Sequence, residues 1–284
     1  MKFLVSYHSI SGDDWVKYAK EGVDKYDPDI FWVDASFGGT KGGNHLKTTK
    51  NTKFIGQQET LKPVFEEKYQ REFITYYYNQ ALKNKKEVAF VYKSNDIPPG
   101  VGMRDLENGL LNETAYDVWM TDMDMNVPPD WETHGWFYRD GVPLRSTNEL
   151  VDMLVDVVSK NGVFLLNVPP LADGTFPVEV SKRLAELGDW LKKNGEAIYG
   201  TSPWFIYGEG PTQMQGGGHF SMHVSYNEKD IRYTRNGDTL YALTLGTDTD
   251  EIVMVAMAKM NSLLNTRVFN SVESLNGDYI EYWK

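Results

Sequence analysis

The chain has no cysteine among its 284 residues, which excludes disulfide staples, thiolate nucleophiles and cysteine-ligated zinc. An absent cysteine is compatible with oxidising and reducing surroundings alike, so the compartment stays open. No apolar run approaches the ~18 residues of a membrane span. The start, Met1 to Ile10, lacks the charged lead, long apolar stretch and small-residue cleavage site of a signal peptide, so the chain as written reads as soluble. There is no basic stripe either. Against 29 Lys and Arg stand 40 Asp and Glu, and the formal charge of -11 is spread over both halves. Neither nucleic acid nor an anionic membrane finds an electrostatic footprint there, and a neutral partner fits better. Internal repeats and low-complexity tracts are not apparent.

A hydrophobic fraction of 41% and an aromatic fraction of 13% place the chain among globular proteins with a sizeable core. Short apolar runs read as buried strands at Phe3–Tyr7, Ile30–Val33, Val88–Tyr92, Val118–Met120 and Val163–Val168. Between them lie amphipathic segments. Leu61, Phe65, Tyr69 and Phe73 recur every four residues in a helix running towards Ala81. Leu150, Met153, Leu154, Val157 and Val158 make a second, with Ser146 and Glu149 as a capping box. Val180, Leu184, Leu187 and Leu191 make a third, opened by Pro177 and stopped at Asn194-Gly195. Alternating strands and helices imply a parallel sheet, but five units are too few to close an eight-stranded barrel of about 250 residues. From about Phe205 the pattern turns to glycine-rich turns and short runs, with Asn236-Gly237 as a hairpin signal between Asp230–Thr234 and Leu240–Leu245. The expected organisation is an α/β domain over 1–204 and an antiparallel β-domain over 205–284.

Asp34 ends the run Asp29-Ile30-Phe31-Trp32-Val33-Asp34, which puts a carboxylate at the C-terminal end of a buried strand, where parallel α/β folds keep their ligands. The plainer reading is an Asp that caps a loop. Glu107, in Arg104-Asp105-Leu106-Glu107, falls in what reads as a loop between two strands, on the same face as Asp34. Two carboxylates meeting there are the pair that glycosidic cleavage requires, against the alternative of a merely solvated charge. Eight tryptophans suit a carbohydrate cleft, since sugars stack C–H faces on aromatic rings; Trp119 and Trp136 are the ones expected to face a ligand, and most of the others fill core. The Gly38–Gly43 stretch lacks the order of a phosphate-binding loop, and the five histidines show no metal-ligand pairing beyond His219 and His223, which fall among expected strands and turns. Neither a metal nor a cofactor is expected.

Taken together these residues resemble glycoside hydrolase family 29, the retaining α-L-fucosidases. Tyr26-Asp27-Pro28-Asp29-Ile30-Phe31-Trp32-Val33-Asp34 is similar to the family's segment around its nucleophile. Val158-Ser159-Lys160-Asn161-Gly162, Leu165-Leu166-Asn167-Val168 and Ala172-Asp173-Gly174 resemble its last barrel strand and loop. Gly188-Asp189-Trp190-Leu191, Asn194–Tyr199 and Pro203-Trp204 resemble the barrel's exit, and Asp230–Thr234 the start of the C-terminal β-domain. The resemblance implies a partial (β/α)8 TIM-type barrel, about the last five strand-helix units, followed by a β-sandwich-like domain. It implies Asp34 as nucleophile and Glu107, in preference to Asp105, as acid and base. Tyr7, His8, Trp32, Arg104, Trp119, Trp136 and Tyr138 are the implied sugar-site residues.

The implied partner is a fucosylated oligosaccharide or glycoconjugate, and a homo-oligomer is compatible with the sequence. Departures stand beside the matches. The family's first strands, with their histidine motifs, have no counterpart, and the β-domain stops early. Pro169 stands where the family commonly has glycine, and the link from Ser9 to Tyr26 is short. A partial barrel exposes strand edges and apolar faces, so the alternative expectation is a non-catalytic fragment or carbohydrate-binding remnant.

Overall fold

The computed structural model describes residues 2–6, 12–34, 67–93, 97–127, 136–212, 224–246 and 254–255. Tyr7, His8, Gly38–Gly43, Leu61, Phe65, the other four histidines and the last stretch of the chain lie outside them. The described residues fall into two compact units, the first within Met1–Leu110 and Ala115–Asp122, the second within Leu111–Thr114, Met123–Met214 and the residues from Met222 on.

The first unit contains β1 (Phe3–Ser6), α1 (Gly12–Tyr26), β2 (Ile30–Val33), α2 (Glu67–Lys83), β3 (Ala89–Tyr92), β4 (Met103–Asp105) and the first part of β5 (Trp119–Asp124). All neighbouring pairs from β1 to β5 are parallel, in chain order. The expected strands at Phe3, Ile30, Val88 and Val118 are all present. Two elements are additional. β4 occupies the segment read from sequence as a loop, because its backbone groups find partners on both β3 and β5 even though Met-Arg-Asp offers no apolar run. Helix α1 fills the Ser9 to Tyr26 link, burying Trp15, Val16, Ala19 and Val23 on one face at helical spacing.

The core of this unit is aromatic. Phe31 of β2 packs on Phe73 of α2 with ring centroids 4.6 Å apart, and Trp15 of α1 meets Phe73 edge-on at 4.9 Å. Phe31, Phe73 and Phe90 are at most 1% exposed, and full burial of such a ring contributes roughly 1.5–3 kcal/mol. Polar ties hold α1 to α2 at the rim: Lys20 pairs with Glu72 at 2.6 Å, and Tyr69 donates to Asp13 at 3.1 Å.

The second unit contains the end of β5, α3 (Thr147–Ser159), β6 (Gly162–Asn167), α4 (Val178–Asn194) and an antiparallel sheet of β7 (Ser202–Glu209), β8 (Ile231–Asn236) and β9 (Thr239–Thr244). Met125, just past β5, donates to the Asn167 carbonyl at the end of β6. The capping box forms as the sequence implies: Ser146 accepts from the Glu149 amide, and its own N–H donates to the Glu149 carboxylate at 2.7 Å. Leu150, with Met125 and Val180, forms one apolar cluster, and Val151 and Val155 form another with Ile198 and Leu245. Helix α4 ends on Asn194, with Gly195 still in helical conformation as a single 3-10 turn follows. The β8–β9 hairpin turns one residue later than Asn-Gly suggests. Asn236 pairs with Thr239, so Gly237 and Asp238 form the turn, and Gly237 supplies the positive φ, 56°, that a first-position turn glycine adopts without strain. Among the described residues no helix is long and apolar enough to cross a membrane.

Candidate active site

Parallel strands end together, so whatever follows them gathers on one face. Val33 pairs with Tyr92, and Tyr92 pairs with Arg104. Continuing those registers by one residue sets Asp34 beside Lys93 and Lys93 beside Asp105. The side chains bear this out. Lys93 Nζ lies 3.2 Å from Asp34 Oδ1, 3.0 Å from Glu107 Oε2, 2.9 Å from Asp122 Oδ2 and 4.0 Å from Asp105 Oδ2. One ammonium thus gathers four carboxylates from the ends of β2, β4 and β5. The bonded oxygens of Asp34 and Glu107 are no farther apart than their two distances to Nζ added together, which is below the ~6.5 Å at which inverting carboxylate pairs begin.

The four carboxylates differ in exposure, and that difference sorts them. Asp34 is 23% exposed and Glu107 17%, whereas Asp105 is fully buried and Asp122 nearly so. Asp105 is held from two sides: Trp32 Nε1 donates to its Oδ2 at 2.8 Å and the Asp122 amide to its Oδ1 at 3.1 Å. Burial pushes the Asp105 carboxyl well above the usual carboxylate range, and the neighbouring Asp122 charge adds to the rise against the pull of Lys93. Asp122 is raised as well, chiefly by burial, with Lys93 opposing. For Lys93, burial works to lower the pKa, but Asp122, Asp105, Glu107 and Asp34 outweigh it and the ammonium is held more firmly protonated than in water.

Lys93 also sits 4.9 Å from the centre of the Trp32 ring, a cation–π contact that occupies one face of that indole. Trp32 is 7% exposed and Trp119, on β5, 4%, so both rings are largely interior. Arg104, on β4, is half-buried, and burial pulls its guanidinium below its ordinary range. Within the second unit, Trp136 and Tyr138 are half-buried. Asn167 Nδ2 donates both to Asp124 Oδ1 and to the Trp136 carbonyl at 3.0 Å, and Asn126 Nδ2 donates to Asp124 as well. Buried Asp124 therefore anchors the amide that fixes the Trp136 backbone. Tyr138 donates to Asp140 at 3.4 Å.

Of the residues implied by sequence, the first unit thus brings Asp34, Glu107 and Trp32 to one cation and sets Arg104 and Trp119 on the adjoining strands; Tyr7 and His8 lie outside the described residues. Lys93 and Asp122 are the partners that sequence reading missed, and Asp105, weighed there only as an alternative to Glu107, is the third. A titratable residue in first place after an apolar strand was the signal for Asp34, and Val91-Tyr92-Lys93 carries the same signal.

A family model for α-L-fucosidases matches residues 7–196, most of the chain. The chain belongs to the α-L-fucosidase family. It is similar to the α-L-fucosidase of Dictyostelium discoideum, 28% identical over 204 residues that cover 67% of this chain and 36% of that protein. It is similar also to the plasma α-L-fucosidase of Homo sapiens, 40% identical over 87 residues, 28% of this chain and 19% of the other. Among solved structures, the Thermotoga maritima α-fucosidase in complex with fucose aligns at 26% identity with a TM-score of 0.56, over 84% of this chain and 43% of that one. The chain therefore spans less than half the length of these relatives. Its parallel strand-helix series and separate antiparallel sheet match the partial barrel and β-domain of those structures.

Proposed function

We propose that the chain carries retaining α-L-fucosidase chemistry, removing terminal α-linked L-fucose from an oligosaccharide or glycoconjugate by double displacement. Asp34 attacks the anomeric carbon and Glu107 protonates the departing oxygen. Water, deprotonated by Glu107, then releases fucose from Asp34. The observation that carries this reading is the simultaneous contact of Lys93 with Asp34 and Glu107, which holds the two most exposed carboxylates of the group side by side on one cation, as a retaining pair requires. Exposure favours Glu107 over Asp105 as the acid, because a fully buried carboxyl has no path to a glycosidic oxygen. Trp32, Arg104, Trp119, Trp136, Tyr138, Tyr7 and His8 are the proposed sugar contacts.

The test is turnover of an aryl α-L-fucoside and of a fucosylated glycan by the chain and two variants. Asp34→Gly is expected to abolish both. Glu107→Gln is expected to slow the glycan by about 10²–10⁴, and the aryl fucoside less, since a good leaving group departs with little help from an acid. Full activity in Asp34→Gly refutes the reading. Fucose binding without turnover by the unaltered chain favours a carbohydrate-binding remnant instead.

A further inference from the structure

Among the described residues, Lys93 is one positive charge in contact with four carboxylates, so these five groups do not balance if all four carboxylates are ionised. Burial decides where a proton is held. Asp122 Oδ2 takes the shortest of the four contacts, 2.9 Å, and is the natural counter-charge of the ammonium. Its other oxygen, Oδ1, is buried and has no hydrogen-bond donor among the described residues. A buried carboxylate oxygen without a donor has lost its water without a replacement, and native structures rarely leave one so. The neighbouring side chain is Asp105, tied to the Asp122 amide at 3.1 Å and fully buried. An ionised Asp105 only accepts; a protonated one has an O–H to give.

We propose that Asp105 is protonated at neutral pH and donates to Asp122 Oδ1, so that the Asp105–Asp122 pair shares one proton and, with Lys93, forms a charge-balanced base that positions Asp34 and Glu107. No proton leaves the pair. The ammonium is balanced by Asp122, and the fields of the two cancel to a large extent at Glu107. Asp34 and Glu107, the two more exposed of the four, are left at the open side of that base. Among the described residues, the charged groups that face Asp105 are Lys93 from the end of β3 and Asp122 from β5, with Asp34 and Glu107 linked through Lys93 and neutral Trp32 closing the β2 side. Lys93, Asp105 and Asp122 are positioning residues, and their effect on turnover rests on the fucosidase reading above.

The protonation state is measurable without any turnover. In protein labelled with carbon-13 at the Asp carboxyls, the Asp105 resonance is assigned through bonds to its own amide, which needs no variant. It is expected to sit at the protonated position at pH 7, about three pH units above the ordinary Asp midpoint of about 3.9, while Asp122 sits at the ionised position. An Asp105 carboxyl found ionised at pH 7 overturns the proposal, whatever the activity. Where the chain turns over fucosides, Asp122→Asn removes the counter-charge of Lys93 and leaves more of its field on the proposed acid side of the site. The alkaline limb of the kcat/KM profile is then expected to move to lower pH. A variant that is slower with that limb unmoved would mark Asp122 as structural only and overturn the positioning role. A chain that is inactive with Asp105 protonated refutes the fucosidase reading and leaves the shared proton standing.

Discussion

The second unit holds a buried charge cluster whose energetics are open to direct measurement. Asp156, on α3, is completely buried, and its two oxygens take Lys160 Nζ at 2.8 and 2.7 Å while Oδ1 also takes Arg232 Nε from β8 at 2.6 Å. Lys160 gives a further bond to the Leu111 carbonyl, and both cations lie over the Tyr207 ring, at 4.7 and 5.3 Å from its centre. One carboxylate thus serves two interior cations. Burial pulls the Lys160 ammonium down despite Asp156, whereas for Arg232 burial is outweighed by the Asp156 charge and hydrogen bond together with Tyr226 and Asp230, and the guanidinium is pushed up. Asp156→Asn keeps the shape but removes the carboxylate that both cations bond directly, and removing one partner of a buried pair costs about 3–5 kcal/mol. Lys160→Met leaves the Asp156–Arg232 pair intact and forfeits charged hydrogen bonds only, about 1.5–3 kcal/mol. In urea unfolding, with a slope near ~3 kcal/mol/M, Asp156→Asn is expected to lower the midpoint by about 1–2 M. Adding Lys160→Met to Asp156→Asn should recover part of that loss, since one uncompensated charge goes with it. Equal losses in the two single variants, or a loss below about 1 kcal/mol in Asp156→Asn, would refute the view that Asp156 is the neutralising centre.

Asp152, also on α3, accepts from the Gly246 amide and from Asn148, yet burial, the larger influence, pushes its pKa up from 3.8 to about 6. Between those two values the folded chain holds a proton that the unfolded chain has released, so this group's contribution to stability falls as pH rises through the window. Asp152→Asn should therefore gain on the unaltered chain as unfolding is followed from pH 4 to pH 6.5, and a constant difference would contradict it. Gly208 lies where β7 shifts register against β8, and a Cβ there would stand 2.2 Å from the Ile231 carbonyl oxygen, a backbone atom that has no rotamer to change. Gly208→Ala is expected to cost about 1–3 kcal/mol, read as a lowered thermal midpoint, and an unmoved midpoint would reject that close approach.

The elements legible in the sequence were those whose information is local. The capping box at Ser146 and the apolar series from Leu150 to Val158 specify α3 within a single window, and the helix spans Thr147–Ser159. Helix α1 was missed although its buried positions do fall on one face, because two of them, Gly12 and Ala19, are small and most of the other positions are charged. β4 was missed because its strand character comes from its neighbours: Tyr92 and Trp119 both pair with Arg104, and nothing in Met103-Arg104-Asp105 itself requires extension. The hairpin turn slid one residue because both Asn236 and Gly237 suit a turn, and the choice belongs to the β8–β9 register.

The site shows the same division between local and distant information. Asp34 was visible as a carboxylate in first place after an apolar strand, a position that parallel folds expose at their working face. Lys93 occupies the same place after β3 and was passed over because a lone lysine there is ambiguous; its meaning comes from Glu107 and Asp122, 14 and 29 residues away. Asp105 was legible only as an alternative to Glu107, since the sequence does not say which of two carboxylates two positions apart is buried. In the fold the choice follows from strand geometry. Asp105 is the last residue of β4 and points into contact with Trp32 and Asp122, while Glu107 lies beyond the strand end and retains a path to solvent. The rule that found the carboxylate applies equally to the cation. In a parallel sheet, every titratable residue directly after a buried strand, of either sign, belongs on the list of site candidates, because adjacent registers bring such residues together however far apart they stand in the chain.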